Sequence, residues 1–113
     1  MSYKHPGRIL RELMQRKCVM MPGSFNGLVG RAVAQQGFEA TYISGAALTA
    51  SAGVPDIGLL SVDQFGQAIS DVYMASGLPI IADADTGFGE GEMCAKTVWV
   101  YNRAGAAGLH LED

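Results

Sequence analysis

An apolar stretch, Pro79-Ile80-Ile81-Ala82, runs directly into Asp83-Ala84-Asp85-Thr86-Gly87-Phe88-Gly89. Side chains at i and i+2 of a strand face the same way, so Asp83 and Asp85 are expected to converge at its carboxyl end. That is the end at which parallel α/β sheets hold their ligands. Two converging carboxylates repel unless a positive charge or a shared proton lies between them, and a hard divalent cation is the simplest remedy. An acidic, solvent-washed turn is the competing reading, because Asp-Thr-Gly is good turn chemistry. The buried character of Ile80, Ile81 and Ala82 favours a site.

Other strand ends deliver polar groups as well. Ser44 follows the apolar run that ends at Ile43, and Glu112 closes Gly108-Leu109-His110-Leu111 with the same parity as His110 and Gly108. Asp83, Asp85 and Glu112 around one mouth form an oxygen-only set that suits Mg²⁺ or Mn²⁺ better than zinc. His110, one step deeper, reads as a hydrogen-bonded interior histidine rather than a ligand. Asp113 faces the other way, as a helix cap or a surface acid. Ser44-Gly45-Ala46 has two readings: a nest of backbone N–H groups for an anionic oxygen, or an ordinary cap on the next helix. Asp56, in Pro55-Asp56-Ile57-Gly58, says by itself only turn, and Phe25 and Asn26 are equally weak alone. Gly87-Phe88-Gly89-Glu90-Gly91 lacks dinucleotide-fingerprint spacing and carries an acid where a pyrophosphate would lie.

The elements that must carry these groups alternate. Helical spacing covers residues 7–15, an apolar strand residues 18–21, and a second helix residues 24–36 with Ser24 as its cap. A strand at 40–43 leads into an ambiguous stretch from 48 to 60. Ser61 then caps a helix that ends at Ser76-Gly77, followed by the Ile80 strand, a helix over 92–103 and a strand from Gly108. βαβ-sized gaps imply parallel strands with right-handed crossovers. Four such strands make half of an eight-stranded barrel or most of a small doubly wound sheet. The chain reads as α/β, the amino-terminal half of a (β/α)8 TIM-type barrel with an extra N-terminal helix, residues 1–113 supplying strands 1–4 of a single barrel domain. Such a piece leaves a strand edge unpaired, so alone it is expected neither to catalyse nor to fold cooperatively.

Composition narrows the function classes. The 113 residues are 49% hydrophobic and 17% charged, with net charge -3 from 8 basic and 11 acidic side chains. No Lys/Arg stripe tracks a phosphate backbone, so nucleic acid is a poor partner, and Arg8, Arg11, Arg16 and Lys17 read as the solvated face of the first helix. Cys18 and Cys94 show neither C-x-x-C nor zinc spacing, which makes a reducing compartment the default. No stretch is apolar and long enough for a signal peptide or a membrane span, so the expected location is the cytoplasm, or the mitochondrial matrix in a eukaryote.

Taken together, Ser44-Gly45-Ala46, Pro55-Asp56-Ile57-Gly58, Asp83 through Gly89 and Gly105-Ala106-Ala107-Gly108-Leu109-His110-Leu111-Glu112-Asp113 resemble the isocitrate lyase / phosphoenolpyruvate mutase superfamily. The likeness is closest to its 2-methylisocitrate lyases and covers nearly the whole chain from Phe25-Asn26 onward. It implies an (α/β)8 barrel whose eighth helix swaps between subunits of a homo-tetramer. It implies Mg²⁺ associated with Asp83 and Asp85, with Glu112 in the outer shell. Ser44, Gly45, Ala46 and Asp83 would grip a small carboxylic-acid substrate, and Asp56, on a gating loop, and Glu112 would support catalysis. The implied reaction cleaves 2-methylisocitrate to pyruvate and succinate. In these lyases the general acid is a cysteine in a Lys-Arg-Cys-Gly-His loop, expected beyond residue 113, and neither Cys18 nor Cys94 matches it. Sister reactions are phosphonomutase rearrangement, oxaloacetate decarboxylation and dimethylmalate cleavage, and the non-enzyme alternative is a binding or regulatory homologue. Ala46-Ala47 departs from the glycines often found there, where the methyl-bearing end of the substrate would fit.

Overall fold

A computed structural model describes residues 3–55 and 59–112. The chain runs α1 (Pro6–Arg16), α2 (Gly27–Gln35), β1 (Thr41–Ile43), α3 (Gly45–Ser51), α4 (Val62–Ser76), β2 (Ile80–Asp83), α5 (Glu92–Ala104) and β3 (Gly108–His110). The strands form a parallel sheet in the order β1-β2-β3. This is an incomplete (β/α)8-type barrel preceded by an extra helix. Ile43 pairs with Ala82 and Asp83 pairs with His110. The register therefore brings Ser44, Asp83 and Glu112 out at the same end of the sheet.

The core that fixes this end consists of Ile43, Ile69, Val72, Ile80, Ala82, Ala84 and Tyr101, all fully buried. Local signals set the helix limits. Ser61 and Gln64 form a reciprocal capping box at the start of α4, and Gly77 ends it in the left-handed conformation at φ 70°. A side chain there would be strained, which is why glycine closes the helix. α2 lies against α4 through Gly30, where a Cβ would come within 2.9 Å of Val72 Cγ1.

Several expectations shift. The stretch 18–21 is not a strand: pairing with β1 is reduced to one parallel bridge, Gly23 to Tyr42. Tyr42 N–H donates to the Pro22 carbonyl and Ser24 N–H to the Tyr42 carbonyl. The next bond of that ladder would need an N–H on Pro22, which proline lacks. The cap of α2 is Asn26, whose side chain accepts from Val29 N–H at 2.9 Å, and not Ser24. Ser24 is buried and hydrogen-bonds Thr41 Oγ1 at 2.8 Å. Of the ambiguous stretch 48–60, the first residues belong to α3, which runs from Gly45 to Ser51, residues 52–55 leave the helix, and 56–58 lie outside the described residues. Met14 and Leu28 are exposed although they lie in the helical stretches expected at 7–15 and 24–36, and the inner face of α5 is made by Thr97 and Tyr101 while Val98 is exposed. Arg8, Arg11, Arg16 and Lys17 are exposed as expected. No helix among the described residues is long and apolar enough to cross a membrane.

Candidate functional site

The end of β2 is organised around Asp83. Its side chain is only 16% exposed, and both carboxylate oxygens are tethered. Oδ1 accepts the Asp85 N–H at 2.8 Å and Oδ2 accepts the Gly45 N–H at 3.0 Å. The approach to Gly45 is close: a Cβ there would lie 2.7 Å from Asp83 Oδ2, so the carboxylate would have to shift. Two such N–H donors fix the orientation of the carboxylate.

Three groups converge on this point. Asp83, His110 and Glu112 each offer a ligand atom within 4.8 Å of the others. His110 Nε2 lies 3.9 Å from Asp83 Oδ1. It is also 2.7 Å from the Tyr42 hydroxyl, and the two rings stack at 5.7 Å. His110 is thus hydrogen-bonded, as its sequence position suggests, and it also belongs to the converging set, which was not expected.

Asp85 stands differently from its sequence expectation. β2 ends at Asp83, and Asp85 adopts φ 50° in the turn beyond it. The i, i+2 rule of a regular strand does not carry through such a turn. Asp85 nevertheless lines the same cavity, of ≈ 70 Å³, together with Asp83, Glu112, Gly45, Phe65 and Phe88. Its carbonyl accepts the Glu112 N–H at 2.8 Å, which ties the two acidic segments together. Glu112 lies just past β3 and is exposed.

Of Ser44-Gly45-Ala46, the structure uses two members in defined ways. Ser44 Oγ accepts from Ala47 N–H at 3.4 Å as the cap of α3, and the Gly45 N–H is engaged by Asp83. Ala46 is exposed beside them. Asp56 and Asp113 lie outside the described residues. Cys18 is exposed and Cys94 half-buried, and neither lines the acidic cavity.

Residues that sequence reasoning passed over shape this site. Tyr42 sits two positions before Ser44, a spacing that could have placed it on the same face of β1. Burial pushes its hydroxyl pKa up, and the Asp83 and Glu112 carboxylates add to that. Tyr101, fully buried, donates its hydroxyl to the Asp83 carbonyl at 2.8 Å. Its pKa is driven far above the ordinary tyrosine value, first by burial and then by the charges of Asp83 and Asp85.

The donor set fits a divalent cation. Two ligands on opposite sides of an ion at about 2.1–2.5 Å are about 4–5 Å apart, and the 4.8 Å spread of Asp83, His110 and Glu112 matches that span. Two of the three are hard carboxylate oxygens, with Asp85 at the edge of the same cavity.

Comparison with known proteins agrees with this geometry. The profile of the family described as phosphoenolpyruvate phosphomutase matches residues 10–113. The chain is 41% identical to a 2-methylisocitrate lyase from Aeropyrum pernix over 97% of its own length and 36% of that protein's. It is 39% identical to 2,3-dimethylmalate lyase from Eubacterium barkeri over 92% of its own length and 37% of that protein's. Among solved structures, phosphonopyruvate hydrolase in complex with oxalate and Mg²⁺ superposes with a TM-score of 0.91 at 32% identity, covering 97% of this chain and 39% of the other. The chain therefore spans little more than a third of the length of these relatives.

Proposed function

This chain belongs to the phosphoenolpyruvate phosphomutase family, and on that footing we propose that the intact protein is a Mg²⁺-dependent carbon–carbon lyase that cleaves 2-methylisocitrate to pyruvate and succinate. The observation that carries the reading is the meeting of Asp83 and Glu112 beside the Gly45 N–H at one cavity. The choice of substrate is supported by the likeness to the Aeropyrum pernix 2-methylisocitrate lyase. On this reading residues 1–113 are the amino-terminal part of a single barrel domain, and the intact protein is a cytoplasmic homo-tetramer with a swapped carboxyl-terminal helix.

In the reaction, the hydroxyl on the methyl-bearing carbon loses its proton and the bond to the neighbouring carbon breaks. The oxygen becomes the keto oxygen of pyruvate, while the electron pair leaves with succinate, which then takes up one proton. A cation held by Asp83 and Glu112, with Asp85 alongside, would supply positive charge beside the oxygen that is left charged when the hydroxyl loses its proton, before bond cleavage passes that charge to succinate. The chain's own residues do the rest. The two N–H donors to Asp83 keep its carboxylate aimed, so little reorganisation is needed. Gly45 leaves room at the wall, and with Ser44 and Ala46 it borders the position of the substrate carboxylate. Asp56 is assigned a supporting role on the family resemblance alone. Phe65 and Phe88, packed edge to face at 5.2 Å, form the apolar side of the cavity.

The test is a panel of 2-methylisocitrate, isocitrate, oxaloacetate, 2,3-dimethylmalate and phosphonopyruvate, assayed with the intact protein and Mg²⁺. The highest kcat/KM is expected for 2-methylisocitrate. A much higher value for oxaloacetate or 2,3-dimethylmalate assigns the protein to that reaction instead, and turnover of none of them leaves a binding role.

A further inference from the structure

α5 does more than close a crossover. Its inner face carries Cys94, Thr97 and Tyr101, at i, i+3 and i+7, and all three meet the turn that follows β2. Tyr101 Oη donates to the Asp83 carbonyl at 2.8 Å. One helical turn earlier, the buried Thr97 Oγ1 lies 2.7 Å from the Gly87 carbonyl. Cys94 closes the underside of the same glycine, where an added Cβ would come within 2.9 Å of its Sγ. The two donors, four residues apart on the helix, thus bind two carbonyls four residues apart in the turn.

Helix geometry does not require either bond. Threonine in a helix commonly turns its hydroxyl to the carbonyl four residues back, and Thr97 Oγ1 is 3.0 Å from the Met93 carbonyl. The Gly87 contact is the shorter of the two and leaves the helix. Between the two anchor points lies Asp85 at φ 50°, a conformation that non-glycine residues adopt only when their surroundings impose it. From the other side, β3 holds the same segment by main-chain bonds from Ala84 N–H to the His110 carbonyl and from Glu112 N–H to the Asp85 carbonyl. Asp85 N–H in turn fixes Asp83 Oδ1.

We propose that Thr97 and Tyr101 are positioning residues, a two-point clamp from α5 that sets the aim of the Asp83 and Asp85 carboxylates for cation binding. Neither touches the cavity. They act through the Asp83 and Gly87 carbonyls, so the inference deepens the proposed function and rests on it for the identity of the ligand.

Thr97→Val and Tyr101→Phe remove the two hydroxyls while keeping shape, and Thr97→Ser restores one. In the intact protein, Mg²⁺ is titrated calorimetrically with oxalate present as the 2-oxo acid mimic, and hydrogen exchange is followed at the Asp85 and Gly87 amides. Outer-shell partners of metal ligands typically tune affinity by about 10–100-fold. Each hydroxyl deletion is expected to weaken Mg²⁺ binding by about tenfold and to speed exchange at both amides, with the α4 amides unchanged and Thr97→Ser behaving as the native protein. Unchanged Mg²⁺ affinity in both deletions, with only the melting temperature lowered, overturns the clamp. Should the native protein itself fail to bind Mg²⁺ with oxalate, the proposed function falls and exchange decides the clamp alone. Selective acceleration at Asp85 and Gly87 then upholds it, and equal exchange overturns it.

Discussion

The α2–α4 seam and the mouth at the end of β2 each depend on one glycine that lets two groups meet, and they spend that closeness on different things. At the seam, Gly30 admits the Val72 side chain, and the contact is apolar on both sides. At the mouth, Gly45 admits the Asp83 carboxylate, and its N–H is one of the two donors that hold it. The seam can relax by sliding two helices apart. The mouth has no such freedom, because moving Asp83 also disturbs the Asp85 N–H, the Tyr101 hydroxyl and the pairing with β3. Closeness at the first place contributes stability, and at the second it contributes aim.

The largest effect expected from this contrast falls on Asp83. In the intact protein, Asp83→Ala lowers Mg²⁺ affinity beyond the ~10–100-fold that loss of an outer-shell partner causes. Asp85→Ala has the smaller effect, because Asp85 lies outside the close set of Asp83, His110 and Glu112. Calorimetric titration in the presence of oxalate measures both, and equal losses would place Asp85 in direct contact with the cation.

Exchanging the two glycines sharpens the comparison. Gly45→Ala should weaken Mg²⁺ binding by at least about tenfold, because the new methyl group must displace the carboxylate. Gly30→Ala should leave Mg²⁺ binding alone and cost about 1–3 kcal/mol of stability, the usual range for overpacking. Urea unfolding and metal titration on both variants give a crossed pattern. A shared loss of stability with unchanged binding would show that Gly45 is only another packing contact.

How legible this was in the sequence follows the same division. The acidic run after Ile80-Ile81-Ala82, the parity of Glu112 and the alternation of elements lie in residue types at fixed spacing, and the structure brings Asp83 and Glu112 to one mouth. What spacing did not carry was anything decided by a single missing or redirected hydrogen bond. Pro22 removes the donor that would extend the strand expected at 18–21. Ser24 and Asn26 are equally good caps by residue type, and only the buried partner Thr41 takes Ser24 out of contention. Asp85 departs from strand parity because the turn twists at positive φ, where i, i+2 logic ends. Thr97 and Tyr101 gave a weak signal, two hydroxyl groups four residues apart on one helix.

Smaller effects test the local devices. Asn26→Ala removes the cap of α2 and should cost about 1 kcal/mol, while α2 continues to lie on α4 through Gly30. Denaturant midpoints of the intact protein measure it. A cost near zero would mean that another group satisfies Val29 N–H.

The smallest effect separates the buried side of the mouth from its open side by pH. Tyr101 and Tyr42 both have hydroxyl pKa values raised above the ordinary 10.0, Tyr101 much the further. The cause is chiefly burial, with nearby carboxylates adding to it. The folded protein therefore keeps these protons at a pH where the unfolded chain has begun to release them, and the unfolded state is favoured there. Stability from this source is fully present below the unfolded value and is lost as pH rises above it. Urea unfolding of the intact protein between about pH 8 and about pH 11 should show that decline. In Tyr101→Phe it should be shallower, because the most strongly shifted proton is gone, while Tyr42→Phe should flatten it less. The order of the two slopes is the discriminating result. A Tyr42 variant that flattens the curve more than the Tyr101 variant would mean that water reaches Tyr101 from the α5 side, and the mouth would then have no dry wall behind Asp83.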